Sequence, residues 1–552
     1  MKKTVLFIIL ILFNFYLFSQ LPEWQWANNA GGTNLDQAWC IDNDSYDNCY
    51  ITGSFRETAT FGSFSLTGSG PYNINDVFVA KVSSNGEWLW ASQAGGSSSV
   101  TGRGITVDSI GNCYDVGIFS DTASFGQYSI STNTYSQIYV AKINSEGIWQ
   151  WATQAGGDYA DYGWSITSDM SNNIYVAGEI NDIASFGSYS ITSNGGADIF
   201  VAKIDTLGIW QWAAQAGGND SDFAYNLFPD NNGNILVTGA FNGTAIFGSQ
   251  SITSNGERDI FIAKLDSSGN WLWVTQAGGI EDDCGIAITT DSSGNIYVTG
   301  RFYEYATFGS NSVTSNGDTD IFVAQADYDG NWQWVTHAGG TDFDGVAAIV
   351  VGEQENIYIA GSFFEAATFG LYSITGNGSD DVFVAKIDSS GNWIWVAQAG
   401  GTNFDGCHGF SSNDYGNMYM VGAFRETTMF GSHSVTSNGS NDIFVAKLNS
   451  SVPAEFELIP NDLEISNYPN PFNPTTTIEF LLKNDSTVEL SIYNIKGQKI
   501  NELINNEFSQ GSHSINWNGE DDFGKSASSG IYYYQLKVNG TTEAVKKCLL
   551  LK

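Results

Sequence analysis

Short apolar runs separated by small polar turns dominate residues 22–450. In the run Asp198–Ile204, which reads DIFVAKI, both alternating sets of side chains are apolar. A strand of that kind is expected where a sheet packs between two neighbours. Turns that read DSSGN, at Asp266–Asn270 and Asp291–Asn295, separate such runs. Because a Gly in the left-handed region is typical of three-residue hairpin loops, the pattern predicts an all-β fold of tight hairpins.

The same set of sequence elements occurs seven times. Each repeat contains a Trp-x-Trp pair, an Ala-Gly-Gly tripeptide, a Phe-Gly pair and a strand of the DIFVAK type. The tripeptides are spaced by 64 residues once and by 61 residues five times. They begin at Ala30, Ala94, Ala155, Ala216, Ala277, Ala338 and Ala399. The first hairpin of each repeat has one left-handed position. Glycine fills it in four repeats (Gly111, Gly233, Gly294 and Gly416), Asn172 fills it in a fifth, and the less suited Asp47 and Glu355 fill it in the other two.

An aspartate lies four residues after the second Gly of the tripeptide in six of the seven copies, and Val100 takes its place in the other. Recurrence in nearly every copy indicates a structural role, such as capping a turn amide, and not a single catalytic site. The six are Asp36, Asp161, Asp222, Asp283, Asp344 and Asp405.

The order of the elements predicts that the array closes on itself. Within the array a DIFVAK strand leads through a turn into the next Trp-x-Trp strand, as in Asp259–Val274. The last DIFVAK strand, which ends at Leu448, has no such successor, and the first Trp pair, Trp24 and Trp26, has no predecessor. We therefore predict a seven-bladed β-propeller of four-stranded blades, closed by its N-terminal strand. The stretch between the second and third strands is an added excursion.

Residues 22–450 resemble the bacterial seven-bladed β-propeller repeat family. Copies in that family read roughly GN-x-YVTG and then D-x-FVAK-x-D-x-x-G, followed by a Trp-bearing strand. Gly294–Gly300 and Asp198–Gly208 carry these motifs in this chain, which departs by an FGSYSITSNG insertion in each repeat. The resemblance implies a propeller at residues 20–450. It implies no activity, because the family has no single one.

The first 19 residues have the pattern of a secretory signal peptide. Lys2 and Lys3 precede an apolar run that ends at Phe18, and cleavage is predicted between Ser19 and Gln20. A transmembrane anchor is the alternative, but spanning a bilayer takes about 20 apolar residues. The mature chain is therefore predicted to be secreted, without a transmembrane segment.

A change of composition marks a further domain at residues 467–552, after a linker at 451–466. Alternating segments around Trp517 predict a small Ig-like β-sandwich. The motifs NYPNPFNP, YNIKGQ, SGIYYYQL and KKCLLLK closely resemble the type A C-terminal sorting domain of the type IX secretion system of Bacteroidota, with Cys548 as a mild departure. This resemblance implies passage through the outer membrane of a Gram-negative bacterium by the type IX machinery, then release or attachment at the cell surface. An accessory Ig-like module is the alternative.

Charge and composition exclude two classes of protein. The chain has 59 acidic residues against 21 Lys and Arg, a formal net charge of −38. A surface this acidic repels phosphate backbones, which excludes nucleic-acid binding. Apolar residues make up 42% and aromatic residues 14% of the chain, so it can bury a core and is not intrinsically disordered.

The six cysteines give no disulfide framework. Cys49 and Cys113 take a strand position that is Ile or Met in the other repeats, so they act as small hydrophobic residues. The hairpin register set by the turn places Cys40 opposite Thr52, on the other face from Cys49.

No catalytic constellation and no cofactor is predicted from the remaining polar residues. None of the four histidines lies at metal-ligand spacing. Asp42, Asp44 and Asp47 are weak calcium candidates, with a solvated turn as the alternative. A carboxylate pair for glycoside hydrolysis stays open, because some pair always exists among 59 acids.

Aromatic residues are concentrated where the seven copies differ most, after Ala-Gly-Gly on the face predicted to carry the loops. Such residues suit sugar rings or peptide chains, although packing between the inner strands is the alternative. The candidates are Trp39, Tyr162, Trp164, Phe223, Tyr225, Phe343, Phe404 and His408. We predict a monomeric, non-catalytic binding, adhesion or interaction module whose partner is a glycan or a surface protein. A polysaccharide hydrolase or lyase and a purely structural surface protein are the alternatives.

Overall fold

The computed structural model describes residues 22–70, 73–352, 355–413, 416–449, 465–470, 472–482, 486–494, 498–539 and 541–551. Every regular element in these residues is a β-strand, as predicted. One compact unit spans Leu21–Ser451, and another includes Val452–Lys552. The predicted signal peptide, its Ser19–Gln20 cleavage site and linker residues 451–464 lie outside the described residues.

Four antiparallel strands recur seven times in the larger unit, and we call each group a repeat sheet. Along the chain the order is inner, second, third and outer strand. The inner strands are Gln37–Asn43, Val100–Val107, Tyr162–Ser168, Phe223–Pro229, Cys284–Thr290, Asp344–Val351 and Asp405–Ser412. The second strands are Cys49–Arg56, Cys113–Phe119, Ile174–Ile180, Ile235–Phe241, Ile296–Phe308, Ile357–Phe369 and Asn417–Phe424. The third strands are Asn75–Val82, Gln137–Ile143, Asp198–Ile204, Asp259–Leu265, Asn311–Ala326, Tyr372–Ile387 and Asp442–Asn449. The outer strands are Trp88–Gly96, Trp149–Gly157, Trp210–Gly218, Trp271–Ala277, Trp332–Gly339, Trp393–Gly401 and, for the seventh sheet, Glu23–Ala30.

The turn between the inner and second strands has the predicted left-handed residue. Gly294 has a φ of +86°, and its amide donates to the carbonyl oxygen of Asp291 at 3.1 Å. The non-glycine residues at this position are also left-handed, with φ of +59° at Asn172, +64° at Asp47 and +59° at Glu355. The repeat therefore imposes the turn even where the side chain disfavours it.

The predicted excursion is a second hairpin that joins neighbouring repeat sheets, and we call it the latch hairpin. In the fifth and sixth repeats it is the end of the long second and third strands. Elsewhere its strands are Thr58–Phe61 and Phe64–Thr67, Thr122–Phe125 and Tyr128–Ser131, Ile183–Phe186 and Tyr189–Thr192, Thr244–Phe247 and Gln250–Thr253, and Thr427–Phe430 and His433–Thr436. Each hairpin pairs with the Gly-Gly end of the preceding outer strand, as Gly218 pairs with Ala245.

This pairing explains the Ala-Gly-Gly motif. A Cβ atom on Gly218 would lie 2.0 Å from the carbonyl oxygen of Thr244. The corresponding distance is 1.7 Å at Gly96 and 2.2 Å at Gly401, and the other four second glycines lie between these values. Only glycine lets the latch hairpin approach this closely.

Each Trp-x-Trp pair also holds a latch and a neighbouring sheet. The first Trp packs edge-on against the Phe of a Phe-Gly pair, as Trp210 does against Phe186 at 5.1 Å between ring centroids. In five of the seven pairs the second Trp donates its indole N–H to a turn carbonyl of the next repeat, as Trp151 does to Thr206 at 3.0 Å. The glycine of that turn, Gly208, lies against the Trp151 ring, so a side chain there would displace it.

The N-terminal strand takes the place of the outer strand in the seventh repeat sheet. Glu23–Ala30 pairs antiparallel with Asp442–Asn449. Trp24 packs against Phe430 at 5.1 Å, and Trp26 donates to the carbonyl oxygen of Ser84 at 3.0 Å.

The six recurring aspartates are fully buried caps, as predicted. Asp222 accepts hydrogen bonds from the amides of Gly218 at 2.7 Å and Asn242 at 3.0 Å. Burial raises the pKa of Asp222 to about 7, against the lowering effect of these amides, and the nearby carboxylate of Asp198 adds to the rise. The same cause raises the pKa to about 7 at Asp36, Asp283, Asp344 and Asp405, and to about 6 at Asp161.

These carboxyl groups make stability depend on pH. An unfolded Asp has a pKa near 3.9, so between about pH 4 and pH 7 the folded chain binds more protons than the unfolded chain. The free energy of unfolding therefore falls as pH rises through this window. We expect a higher melting temperature at pH 5 than at pH 8.

Thermal unfolding of wild type and Asp222→Asn at pH 5, 6, 7 and 8 tests this dependence. Asn cannot acquire the buried charge, so the variant should gain stability relative to wild type as pH rises. Asp329→Asn, at an exposed turn, removes the same formal charge and should show no such trend. A wild-type melting temperature that stays level or rises from pH 5 to pH 8 contradicts the prediction.

The C-terminal unit is a small sandwich of two antiparallel sheets. One sheet contains Ile465–Tyr468, Thr476–Leu482 and Gly511–Trp517, and the other contains Ser486–Asn494, Lys499–Phe508, Gly530–Val538 and Thr541–Leu550. Trp517 is fully buried in their shared core, as predicted from the sequence. Cys548 is buried in the same core, where its thiol acts as a small apolar group.

Candidate functional site

Every inner strand has a β-bulge at the same position, three residues after the capping Asp or its substitute. At each bulge one residue has no partner on the second strand. Bulges redirect side chains and are common beside binding sites. The seven unpaired residues are Trp39, Arg103, Trp164, Tyr225, Ile286, Ala347 and His408, and we call this set the bulge ring.

Four members of the bulge ring stack on one another across neighbouring sheets. His408 lies parallel to Trp39, with 4.6 Å between ring centroids and 16° between planes. The Arg103 guanidinium carbon lies 4.4 Å from the Trp39 centroid and 5.0 Å from the Trp164 centroid. This arrangement places a cation between two indole rings, the geometry of a cation–π contact.

The other predicted aromatic residues lie beside this ring. Tyr162 stacks on Trp164 at 5.8 Å, and Phe223 stacks on Tyr225 at 6.0 Å. The Trp164 indole donates to the carboxylate of Glu179, whose pKa burial raises to about 7. In the third and fourth sheets, therefore, aromatic side chains fill the bulge ring.

The fifth and sixth sheets instead leave a cavity, because their bulge residues, Ile286 and Ala347, carry no ring or guanidinium group and Ala347 is small. The cavity has a volume of about 340 Å³, within the usual range of small-molecule sites. Its lining includes four of the eight predicted aromatic residues, Trp39, Phe343, Phe404 and His408, together with Arg301, Ser362 and Asp380. Phe343 and Phe404 fold over Gly345 and Gly406, where a Cβ atom would lie 3.2 Å and 2.6 Å from the respective rings.

Several polar atoms around this cavity can be assigned as hydrogen-bond donors or acceptors. His408 Nδ1 lies 2.8 Å from the carbonyl oxygen of Ala38, which only accepts, so Nδ1 donates. Burial lowers the pKa of His408, so the ring is neutral at pH 7 and Nε2 is an acceptor. The buried Trp39 Nε1 and Arg301 Nε atoms have no acceptor among the described residues. The cavity thus combines aromatic faces with separate donors and acceptors.

Sequence reasoning located the aromatic residues but missed the residues that shape the cavity. Arg103, Ile286 and Ala347 occupy the offset of Trp39 and His408 in their own repeats, so aligning the seven copies at the capping Asp brings them together. Arg301 and Asp380 have no such signal. Arg301 lies on a second strand, and its proximity to the cavity follows from sheet packing.

The calcium hypothesis needs correction, because the structure does not bring its three carboxylates together. Asp44 forms an ion pair with Lys81 at 3.1 Å and accepts hydrogen bonds within its own turn. Asp42 accepts from the amide of Val107 at 2.9 Å, and Asp47 accepts from the side chain of Asn413. In the described part of the chain, no group of three or more His, Cys, Asp or Glu residues is arranged to hold a metal ion.

The predicted cysteine register is confirmed. Cys40 pairs with Thr52, and Asn43 pairs with Cys49. All six thiols are free, and burial raises the pKa of the Cys49 and Cys113 thiols well above the ordinary value. These two thiols are therefore protonated core groups.

Two family profiles match parts of the chain. The beta-propeller repeat family matches residues 150–187 and 272–301, so these segments are similar to repeats of that family. The FlgD Ig-like domain family matches residues 472–543, in agreement with the predicted Ig-like sandwich.

Curated relatives share only part of their length with this chain. An uncharacterized WD repeat-containing protein, L264 of Acanthamoeba polyphaga mimivirus, is 26% identical over 333 residues, 47% of this chain and 24% of the relative. The regulatory protein FlaEY of Caulobacter vibrioides is 26% identical over 156 residues, 27% of this chain and 16% of that protein. The chain thus spans a quarter or less of the length of these relatives.

Solved structures with partial similarity include two further proteins. PorZ of Porphyromonas gingivalis, a surface component of the type IX secretion system, aligns with 11% identity and a TM-score of 0.30 over 95% of this chain and 75% of its own. YCF48 bound to a D1 peptide aligns with 11% identity and a TM-score of 0.31 over 64% of this chain and 92% of its own.

No helix in the part of the chain described by the structure is long and apolar enough to cross a membrane.

Proposed function

We propose that this protein is a secreted or surface-attached, non-catalytic β-propeller that binds its ligand in the cavity of the bulge ring. The observation that carries the proposal is the difference between the constant scaffold residues and the variable bulge residues. Scaffold positions recur in every repeat, whereas the bulge residue changes from Trp39 through Arg103 to Ala347 and His408. The variation is confined to the bulge position, which lies next to a cavity with aromatic walls. Such a pattern is typical of a recognition surface on a fixed scaffold.

The proposed architecture is a closed ring of seven four-stranded blades. Three contacts between the first and last repeats support it, namely the pairing of Glu23–Ala30 with Asp442–Asn449, the Trp26 hydrogen bond and the stack of Trp39 on His408. Closure makes the bulge ring continuous. It also fixes the distance across the cavity, which extends from the fifth sheet to Trp39.

A glycan is the proposed ligand class. Aromatic rings such as Phe343 and Phe404 stack on the apolar faces of sugars, while Asp380, His408 and Arg301 offer acceptors and donors to ring hydroxyls. A protein partner is the second candidate, because exposed aromatic side chains such as Phe343, 43% exposed, are also common at protein interfaces.

Filling the cavity tests the site. The full chain is applied to an array of neutral and acidic oligosaccharides, alongside Ala347→Trp and the matched control Ala347→Ser. Two other repeats already carry Trp at this position, so the larger side chain should leave the fold intact. We expect at least about tenfold weaker binding for Ala347→Trp, a cost of about 1.4 kcal/mol or more, and nearly unchanged binding for Ala347→Ser.

Equal glycan binding by all three proteins would place the site elsewhere. An array without signal would favour a protein partner, which a pull-down from outer-membrane extracts then tests, or a purely structural surface role.

Polysaccharide cleavage is the alternative that the cavity supports less well. Glycosidases commonly place two carboxylates about 5–10 Å apart across the scissile bond. Asp380 is the one carboxylate in the described lining of the cavity. Release of reducing ends from a polysaccharide panel, lost in Asp380→Asn, would support the enzyme over the binding module.

The proposed route to the cell surface is type IX secretion. The predicted signal peptide at residues 1–19 and the motif-bearing Ig-like domain at 467–552 support it. Deleting residues 467–552 should retain the propeller in the periplasm of the producing bacterium, as measured by fractionation. Surface delivery of the truncated chain would favour the accessory-module alternative.

A further inference from the structure

We propose that the bulge-ring cavity selects a sugar that carries a carboxylate, such as a terminal hexuronic acid, through the Arg301 guanidinium. The inference rests on the proposed function and specifies the ligand of the same site. Its basis is a guanidinium at the cavity wall that forms no ion pair with a described carboxylate.

Arg301 lacks a carboxylate partner in a very acidic protein. Among the described residues Arg258 is the one arginine in an ion pair, with Asp282 at 2.6 Å. No described carboxylate lies within 4.0 Å of the Arg301 guanidinium, although Asp380 lines the same cavity. The Nε atom of Arg301 is also buried without an acceptor. Burying a donor without an acceptor costs free energy.

Two titratable side chains that interact with Arg301 carry no charge. Its cross-strand neighbour is Cys284, which forms a hydrogen bond with Arg301. Burial raises the pKa of this thiol, which therefore stays protonated. Burial also raises the pKa of the nearby Tyr225, so its phenol stays protonated. Neither group carries a negative charge, so a ligand carboxylate can form a charge-assisted hydrogen bond with the guanidinium.

The other lining groups fit the rest of a sugar ring. His408 Nε2 and the Asp380 carboxylate accept hydrogen bonds, which hydroxyl groups donate. Phe343 and Phe404 offer aromatic faces to the C–H surface of a pyranose. A peptide C-terminus also brings a carboxylate, and its amide N–H groups can donate to the same acceptors, so the test includes a peptide as the competing ligand.

The net charge limits how many carboxylates the ligand carries. A chain with a formal charge of −38 repels an extended polyanion. One acidic residue at the end of an otherwise neutral glycan meets Arg301 with less of this repulsion. The expected ligand is therefore a terminal uronate and not a polyuronic acid.

The test compares methyl β-glucuronide with methyl β-glucoside, which differ in having a carboxylate or a hydroxymethyl group at C6. Calorimetric titration of the full chain should show at least about tenfold tighter binding of the glucuronide. Arg301→Gln should reduce this preference to about twofold or less, because it weakens binding of the glucuronide far more than binding of the neutral glucoside. Arg425→Gln removes an exposed arginine outside the cavity lining and should leave the preference intact.

Three results would overturn the inference. Equal affinity for the two glycosides, with Ala347→Trp abolishing both, would leave the proposed glycan site standing and remove its acid preference. A preference that survives in Arg301→Gln would assign recognition to another group. Binding of neither glycoside, together with a blank oligosaccharide array, would overturn the proposed function as well. Binding of N-acetyl-glycyl-phenylalanine in their place would then assign Arg301 to a peptide terminus.

Discussion

Deleting Glu23–Ala30 should lower the melting temperature of the protein by more than about 5 °C. The deletion removes Trp24, which is only 7% exposed, and the half-buried Trp26. Each such side chain contributes roughly 1.5–3 kcal/mol through burial, and 1 kcal/mol corresponds to a few degrees or less in a unit this large. The third strand Asp442–Asn449 also loses its hydrogen-bonding partner along one edge.

Differential scanning calorimetry of the deletion variant measures this effect, and Gln25→Ala is the matched control. Gln25 lies on the same strand with its side chain exposed, so its substitution should change the melting temperature by less than about 1 °C. Amide hydrogen exchange gives the local readout. Protection should fall in Asp442–Asn449 and persist in Asp259–Leu265, the equivalent strand of the fourth sheet. An unchanged melting temperature with unchanged protection would contradict the proposed closure of the ring by this strand.

Replacing Gly218 by Ala should destabilise the protein by about 1–3 kcal/mol, the usual cost of overpacking a close contact. The added Cβ atom would lie 2.0 Å from the carbonyl oxygen of Thr244, and backbone on both sides prevents relief by a rotamer change. The latch hairpin must therefore move away from the outer strand. That movement also strains the hydrogen bond from the Gly218 amide to Asp222.

Urea denaturation of Gly218→Ala measures this cost, with Ser251→Ala as its control. Ser251 lies on the same latch hairpin with an exposed side chain, so its substitution should be nearly neutral. Gly96→Ala and Gly401→Ala extend the test to other latches, whose contact distances are 1.7 Å and 2.2 Å. Wild-type stability in all three glycine variants would mean that the latch contacts are looser than the structure shows.

Local features of the repeat were predictable because they depend on nearby residues. The left-handed turn at Gly294 and the register that pairs Cys40 with Thr52 both follow from a five-residue turn. The capping role of Asp222 followed from recurrence alone, since a residue kept in most copies serves the scaffold. The orphan strands at the two ends predicted the pairing of Glu23–Ala30 with Asp442–Asn449.

Features of the site were less predictable, because a bulge changes which residues face the cavity. Simple alternation along an inner strand assigns each side chain to one of two faces, and one extra residue reverses that assignment. The aromatic residues Trp39 and His408 were found by their chemistry. Ala347 was missed because its contribution is its small size beside larger neighbours.

The sequence by itself determined the number of repeats, the strands and turns within each, the capping aspartates and the complementary ends of the array. These depend on periodicity and on hydrogen bonds between residues close in the chain. Only the tertiary structure decided that the inserted segment joins adjacent sheets and that the bulge ring leaves a cavity between its fifth and seventh members. It also placed Arg301 at the cavity wall without a carboxylate partner. Those features depend on which distant backbones and side chains approach one another, and the packing of whole sheets sets that proximity.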